Sequence, residues 1–239
     1  MARTRLDRCR PRILSRSRLR KKFPALVAIA LAAWAGCRSL EPPLQVHYLP
    51  QFVAGTRNIY RRATIAIAPP GGIGAHDRVE VGAIYAPGRA LQRRLYVEDF
   101  SGVLREALAR GLRDAGLDAI VSRASSVDRP VPSGIDFTLA VTVEDVNVDK
   151  QFGAETTVHG RYFTIHSRVL LGITLFDRAA HPVFSGEVVG VENEPPAPVG
   201  GEAFLPLETD PAESLSVALS RVVGALILEP GVRRVLPAR

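Results

Sequence analysis

Two segments of the chain carry apolar residues every three to four positions, and each pattern predicts an amphipathic helix. The first covers residues 98–115, and Gly116 follows where a glycine commonly ends a helix. The second begins at Asp210-Pro-Ala-Glu, which supplies a capping residue, a first-turn proline and an acid, and it is limited by Pro230. The apolar face of the first helix comprises Phe100, Val103, Leu104, Ala107, Leu108, Leu112 and Ala115.

Other segments alternate apolar and polar residues or are apolar throughout, which is typical of strands. A covered strand is predicted at 63–68, and two alternating runs flank a turn at Ala86–Arg89. Three long candidates later in the chain have one apolar face and one polar face, as in an antiparallel meander that is covered on one side. The predicted strands are 63–68, 79–83, 91–97, 117–121, 135–143, 163–175 and 183–191, and the predicted long loops are 122–134 and 192–209.

These elements predict an α+β fold, a two-layer sandwich with a mostly antiparallel sheet and two amphipathic helices on one face. Residues 61–239 form a single domain in this interpretation, and this length is enough to bury about 70% of the surface of the unfolded chain. Residues 37–60 contain several prolines and are predicted to be a tether. Residues 1–36 have the features of a secretory signal peptide.

The net charge of +7 arises in the leader. Ten Lys and Arg residues lie within residues 1–22 beside one acid, Asp7, and residues 23–36 hold no charge. The rest of the chain is nearly neutral, which argues against a nucleic-acid-binding surface. The apolar stretch of about 14 residues is shorter than the roughly 20 that a helix needs to span a bilayer.

The sequence Trp34-Ala-Gly-Cys37 resembles the lipobox of bacterial lipoproteins. The resemblance implies that Cys37 is acylated, typically with palmitate, and becomes the first residue after the preceding peptide is removed. Trp34 stands where leucine is usual. Two alternatives are a signal peptide with a cysteine nearby by chance, and an inner-membrane anchor. Arg38 follows the cysteine, whereas Asp retains many enterobacterial lipoproteins in the inner membrane. The resemblance therefore implies the periplasmic face of the outer membrane.

The order of elements also resembles the YajG-like bacterial lipoproteins, which are small envelope proteins. A lipobox and a strand are followed by the helix within Tyr96–Leu117, then by a strand, a long hairpin and a terminal helix around Ala218–Leu226. A similar order occurs in the auxiliary lipoproteins of ABC-type transport systems. Their tryptophan-containing segment before the first helix is missing here, since Trp34 is the only tryptophan.

Several residues are candidates for reactive or binding groups. Gly72-x-Gly-x-x-Asp77 lacks the third glycine and the following helix of a dinucleotide site. His159, His166 and His181 could converge across paired strands, but no carboxylate completes a metal set. Glu144, Asp145 and Asp149 could hold a catalytic carboxylate pair or could be solvated charges at a sheet edge. Phe152, Tyr162 and Phe163 could mark a partner-binding edge or could pack in the core.

The sequence thus predicts a lipid-anchored envelope protein without enzymatic activity, cofactor or metal, which binds an envelope protein or a lipid complex. It predicts no nucleic-acid partner. Two alternatives remain open: an auxiliary lipoprotein subunit of an ABC-type phospholipid transport system, and an enzyme with an unrecognised site.

Overall fold

A computed structural model of the chain describes residues 42–53, 55–73, 77–122, 133–152, 161–199 and 210–237. The signal peptide, Cys37 and the loop at 123–132 lie outside these residues. The strands within the described part are β1 (Thr64–Ile67), β2 (Gly71–Gly72), β3 (Arg78–Tyr85), β4 (Leu91–Glu98), β5 (Asp118–Val121), β6 (Phe137–Phe152), β7 (Arg161–Phe176) and β8 (Pro182–Val199). The helices are α1 (Phe100–Asp114), α2 (Pro211–Leu228) and the short α3 (Pro230–Val235).

Helix α1 forms where the apolar spacing predicts it. Asp99 caps its amino terminus, because an oxygen of the side chain accepts a hydrogen bond from the backbone N–H of Gly102 at 3.0 Å. Gly116 follows the helix with a φ of 103°, a conformation that glycine adopts without steric cost. The buried face contains Phe100, Leu104, Ala107, Leu108, Ala109, Gly111 and Leu112. This helix is therefore set by its local sequence.

The sheet is organised around β6, which uses both of its edges. On one edge, β1, β2 and β3 lie end to end and run parallel to β6. On the other edge β7 runs antiparallel to β6, and β8 pairs in turn with β7. Strand β5 lies parallel to β1, and β4 lies antiparallel to β3. The result is one mixed sheet of eight strands among the described residues.

The prediction of a mostly antiparallel sheet is therefore wrong in one half of the structure. The antiparallel meander β6–β7–β8 is present, but four of the seven strand pairs among the described residues are parallel. Alternation along a strand shows which face is covered, and it contains no information on which distant strand pairs with it. The α+β class itself is confirmed.

Strand β8 extends further than predicted and includes residues 192–199 of the expected loop. Three prolines at 195, 196 and 198 favour a loop in a sequence-based prediction, since proline cannot donate to a ladder. Strand β8 pairs only with β7 in the described part of the chain. Pro195 and Pro196 have no partner in the ladder, because the register shifts between the pairs Ile165–Glu194 and Phe163–Ala197. At an edge strand, the N–H that Pro198 lacks can fall on the unpaired side.

Helix α2 differs from the predicted amphipathic helix because most of its surface is buried. It packs on β6, β7 and β8 and also contacts α1. The segment Pro211–Val235 is long and apolar enough to cross a membrane, but two thirds of its most apolar window is buried inside the fold. We therefore interpret α2 as the central core helix of the folded unit.

Residues 43–60, for which a tether is predicted, belong to the folded unit, which spans Pro43–Arg239. Val46, Tyr48, Val53 and Tyr60 are buried and join the same hydrophobic core as α1, α2 and the sheet. The boundary of the domain accordingly lies near Pro43, about 18 residues before the predicted one.

Candidate functional site

His166 and His181, the two candidate ligand histidines within the described residues, do not meet. His166 lies in β7 opposite Asn193, and its Nδ1 is 2.9 Å from the amide oxygen of that residue. His181 precedes β8, whose first residue pairs with Phe176. Ten strand residues separate His166 from Phe176, or about 33 Å. His159 lies outside the described residues.

The acidic side chains of β6 are engaged with separate neighbours. A carboxylate oxygen of Asp145 lies 3.7 Å from an Nη atom of Arg168. Asp149 accepts hydrogen bonds from the backbone N–H of Ala83 at 3.3 Å and from the side-chain amide of Asn147 at 2.9 Å. Glu144 is exposed and lies over Gly172 of the neighbouring strand. Over the described residues, no three His, Cys, Asp or Glu side chains are grouped as metal ligands.

The aromatic residues near the end of β6 pack inside the structure. The rings of Phe152 and Phe163 meet edge to face, with centroids 6.2 Å apart. The ammonium of Lys150 lies 4.6 Å from the centroid of Phe163 and 5.4 Å from that of Phe152. Phe163 and Lys150 are both buried, so these two residues contribute to packing and not to an exposed binding edge. The side chain of Tyr162 lies outside the described part.

The first residues of the folded unit, Pro43–Leu49, form an extended segment that we call the docked segment. Its first hydrogen bond joins the N–H of Leu44 to the carbonyl of Tyr96 in β4, at 2.7 Å. The segment then follows α1, and beyond it Asn58 donates to the carbonyl of Asp114 at the end of that helix. The chain therefore proceeds from β4 towards the end of α1.

Two serines of α2 hold the docked segment through its backbone. The hydroxyl of Ser216 accepts from the N–H of His47 at 3.0 Å, and that of Ser220 accepts from the N–H of Leu49 at 2.8 Å. Four residues of helix advance about 6 Å, and two residues of extended chain advance about 6.6 Å. The spacings match, so one helix face can receive alternate amides of an extended strand. We call Ser216 and Ser220 the serine ladder.

Each ladder serine is also satisfied within its own helix. The hydroxyl of Ser216 donates to the carbonyl of Ala212 at 2.6 Å, and that of Ser220 donates to the carbonyl of Ser216 at 2.8 Å. Both serines are almost fully buried. If the docked segment were released, each serine hydroxyl would lose the N–H group that donates to it, and the segment would lose two hydrogen-bond acceptors.

Two tyrosines fix the segment and the residues that follow it. The hydroxyl of Tyr60 donates to the carbonyl of Ile227 at 2.5 Å. Tyr48 lies over Gly111 of α1, where a Cβ atom would come within 3.2 Å of its hydroxyl oxygen. Burial raises the pKa of Tyr48 to about 12, with a smaller contribution from Asp114. Burial likewise raises the pKa of Tyr60 to about 12, partly offset by Arg233.

A cleft of about 380 Å³ lies between the docked segment and α1. Its lining is largely polar, and the guanidinium of Arg110 pairs with the carboxylate of Glu106 on the same helix face. The lining residues are Leu44, Gln45, Val46, His47, Tyr48, Glu98, Val103, Glu106, Ala107 and Arg110.

The position of the docked segment limits how far the folded unit can stand from Cys37. Six residues separate Cys37 from Pro43, and an extended chain covers at most about 3.3–3.6 Å per residue. The covalent chain alone therefore limits the distance between Cys37 and Pro43 to about 22 Å. A freely extended tether over 37–60 would reach several times further.

Sequence reasoning missed the serine ladder, Tyr60 and Gly111. A signal was present, since Ser216 and Ser220 are four residues apart on a helix and Val46 and Tyr48 alternate with polar residues. Buried serines on an otherwise apolar helix indicate a backbone partner, because a buried hydroxyl requires a hydrogen bond.

No family model matches the chain, and no curated protein matches it. Among solved structures, it is similar to a Xanthomonas campestris protein described by the family model DUF330, with 15% identity, 81% of this chain and 94% of that chain covered, and a TM-score of 0.46. It is also similar to a neuraminyllactose-binding hemagglutinin homolog from Helicobacter pylori, with 10% identity, coverage of 80% and 90%, and a TM-score of 0.38. A lipoprotein from Neisseria meningitidis matches with 14% identity, coverage of 55% and 83%, and a TM-score of 0.29. These likenesses assign the chain to no family, and the resemblance to the YajG-like lipoproteins stays a prediction.

Proposed function

We propose that this chain is a lipid-anchored envelope protein that is attached through Cys37 and acts without catalysis, by binding another envelope protein or a lipid-handling complex. The observation that carries the proposal is the position of one cysteine. Cys37 ends an uncharged apolar stretch, and a folded unit begins at Pro43, only six residues later. The thiol is thus available at the end of a leader and close to a stable domain.

The cysteine content agrees with this role. The chain contains two cysteines, Cys9 in the basic leader and Cys37. A product that begins at Cys37 has no second thiol, so it can form no incorrect disulfide within itself in an oxidising periplasm. Each buried CH₂ of an acyl chain contributes about 0.8 kcal/mol, so several chains on one residue give a firm anchor. We propose the outer membrane as the location, because Arg38 and not Asp follows the cysteine.

A binding role is favoured over catalysis by the arrangement of the reactive side chains. His166 and His181 lie about 33 Å apart along one hairpin, and Asp145 and Asp149 of β6 contact separate neighbours. A catalytic set needs such groups within hydrogen-bonding reach of a common point.

We further propose that α1 and α2 form a second layer on one face of the sheet. Their contacts with each other and with the strands support this arrangement. The other face then presents the exposed side chains of β7, including His166 and Arg168, to a partner.

The test uses the two cysteines as a matched pair. Cells that express the full chain are labelled with palmitate, and the Cys9→Ser variant should incorporate the label and sediment with membranes as the parent does. The Cys37→Ser variant should remain unlabelled and keep its leader. Removal of the leader from Cys37→Ser, with normal release of the product, would refute the anchor. Crosslinked complexes recovered with the parent and lost with Cys37→Ser then identify the partner.

A further inference from the structure

The hairpin of β3 and β4 projects an exposed, basic and partly apolar turn. Residues 86–90 join the two strands, with Gly88 and Arg89 at positive φ. Leu91, at the base of the turn, is 51% exposed, which is the highest value among the exposed large hydrophobic side chains of the described residues. We call residues 85–94 the hairpin tip.

The charge of the hairpin tip has one sign. It contains Arg89, Arg93 and Arg94 and no acidic residue. Arg94 pairs with Glu80 of β3 at 2.7 Å, while Arg89 is exposed on the turn itself. Tyr85 is half-buried at the end of β3. Arginine, tyrosine and leucine together suit the headgroup region of a bilayer, where a phosphate and an acyl boundary lie within a few ångströms of each other.

The length of the chain allows the anchor to reach this tip. Leu44 is hydrogen-bonded to Tyr96, and from there the chain follows α1 away from the tip. Five residues separate Tyr96 from Leu91 along β4, or about 17 Å. Five residues also separate Cys37 from Pro42, and they cover at most about 17 Å. The acylated residue can therefore reach the level of Leu91, and the link is too short to hold the domain far from the bilayer.

We propose that the hairpin tip is a second membrane contact, seated in the phospholipid headgroups beside the acylated Cys37. The inference rests on the proposed function, because lipidation brings the tip within reach of the bilayer. Leu91 enters the acyl boundary, and Arg89 contacts anionic headgroups. The two attachments together fix the orientation of the domain, which leaves the opposite end of the sheet directed away from the membrane.

The test measures depth at two ends of the protein. An environment-sensitive fluorophore is attached to the new cysteine of Leu91→Cys or, as the control, of Ile120→Cys. The labelled protein is the lipidated product that begins at Cys37, reconstituted into vesicles of phosphatidylethanolamine and phosphatidylglycerol. Ile120 is 44% exposed. It is level with Thr138 of β6 and Tyr85 is level with Gln151, so 13 residues of β6, or about 43 Å, separate the two positions. We expect lipid-borne quenchers to remove most of the fluorescence at position 91 and to leave position 120 unchanged.

A second comparison tests the arginine. Arg89→Glu should weaken lipid quenching of the label at position 91 by about fivefold or more. Arg234→Glu changes the net charge equally at an exposed site on α3 and should leave the quenching unchanged. Replacing phosphatidylglycerol by a zwitterionic lipid should reproduce the effect of Arg89→Glu.

The two proposals fail in different ways. If the product floats with vesicles but the label at position 91 remains as accessible to water as the label at position 120, the hairpin contact is refuted and the anchor stands. If the product does not float at all and carries no lipid, the anchor itself is refuted. Protection of position 91 without quenching by lipid would assign the tip to contact with a second copy of this chain and would also overturn the membrane contact.

Discussion

Removing the serine ladder should release the docked segment while the rest of the fold remains. The double variant Ser216→Ala/Ser220→Ala deprives the N–H groups of His47 and Leu49 of their acceptors at 3.0 and 2.8 Å. A net hydrogen bond contributes about 1 kcal/mol, and a donor left unsatisfied in a partly buried site costs about 1–3 kcal/mol. We therefore expect the free energy that holds the docked segment on the folded unit to fall by about 2–4 kcal/mol for the two sites together.

Hydrogen exchange distinguishes local release from general destabilisation. A loss of about 1–2 kcal/mol at one amide corresponds to exchange that is roughly five- to thirtyfold faster. The amides of His47 and Leu49 should show this change, while those in the centre of α1 should keep the protection set by the global stability. The same release should create a protease-sensitive site in residues 43–53.

The matched control is Ser214→Ala in the same helix. Ser214 is fully buried, and its hydroxyl lies 2.8 Å from that of Ser167 in β7, so it makes a hydrogen bond that does not involve the docked segment. Ser214→Ala should lower the free energy of unfolding without exposing His47 and Leu49. Equal exchange of these two amides in the control and in the double variant would refute the role of the ladder.

Two further predictions concern packing and pH. Gly190→Ala should lower the free energy of unfolding in urea by about 1–3 kcal/mol or more, because an added Cβ would lie 2.0 Å from the carbonyl oxygen of Ala218, where α2 crosses β8. The control Gly71→Ala should lower it less, since no atom lies closer than 3.7 Å to the added Cβ. The free energy of unfolding should fall between about pH 10 and pH 12, because Tyr48 and Tyr60 keep their protons to about pH 12 in the folded state and the unfolded chain loses them near pH 10. Each tyrosine contributes about 2–3 kcal/mol to this fall, and Tyr60→Phe should reduce the slope; an unchanged slope would contradict the assignment.

The elements that the sequence predicts well are those that local interactions determine. Helix α1 has its cap, its apolar spacing and its terminal glycine within some 18 residues of each other. The start of α2 follows the same rule, since an oxygen of Asp210 accepts from the N–H of Ala212 at 3.0 Å. The strands of the meander are also predicted, because alternation marks their buried faces.

The features that sequence reasoning missed depend on contacts between distant residues. The three strands on one edge of β6 come from separate parts of the chain, and nothing in their sequences specifies a parallel partner. The docked segment begins at Pro43, is flanked by Pro42 and Pro50 and is extended, so it has the sequence features of a tether. Its structure is provided by α2, about 170 residues later. The anchor at Cys37 is the opposite case, because its chemistry depends on adjacent residues only.

The central claim is that a lipid on Cys37 holds the folded unit at a membrane, and intact mass spectrometry of the protein extracted from membranes tests it most directly. We predict one product whose first residue is Cys37 and whose mass exceeds that of the polypeptide by a diacylglyceryl group and an amide-linked acyl chain. A chain that retains residues before Cys37, or an unmodified sulfur on that residue, would contradict it.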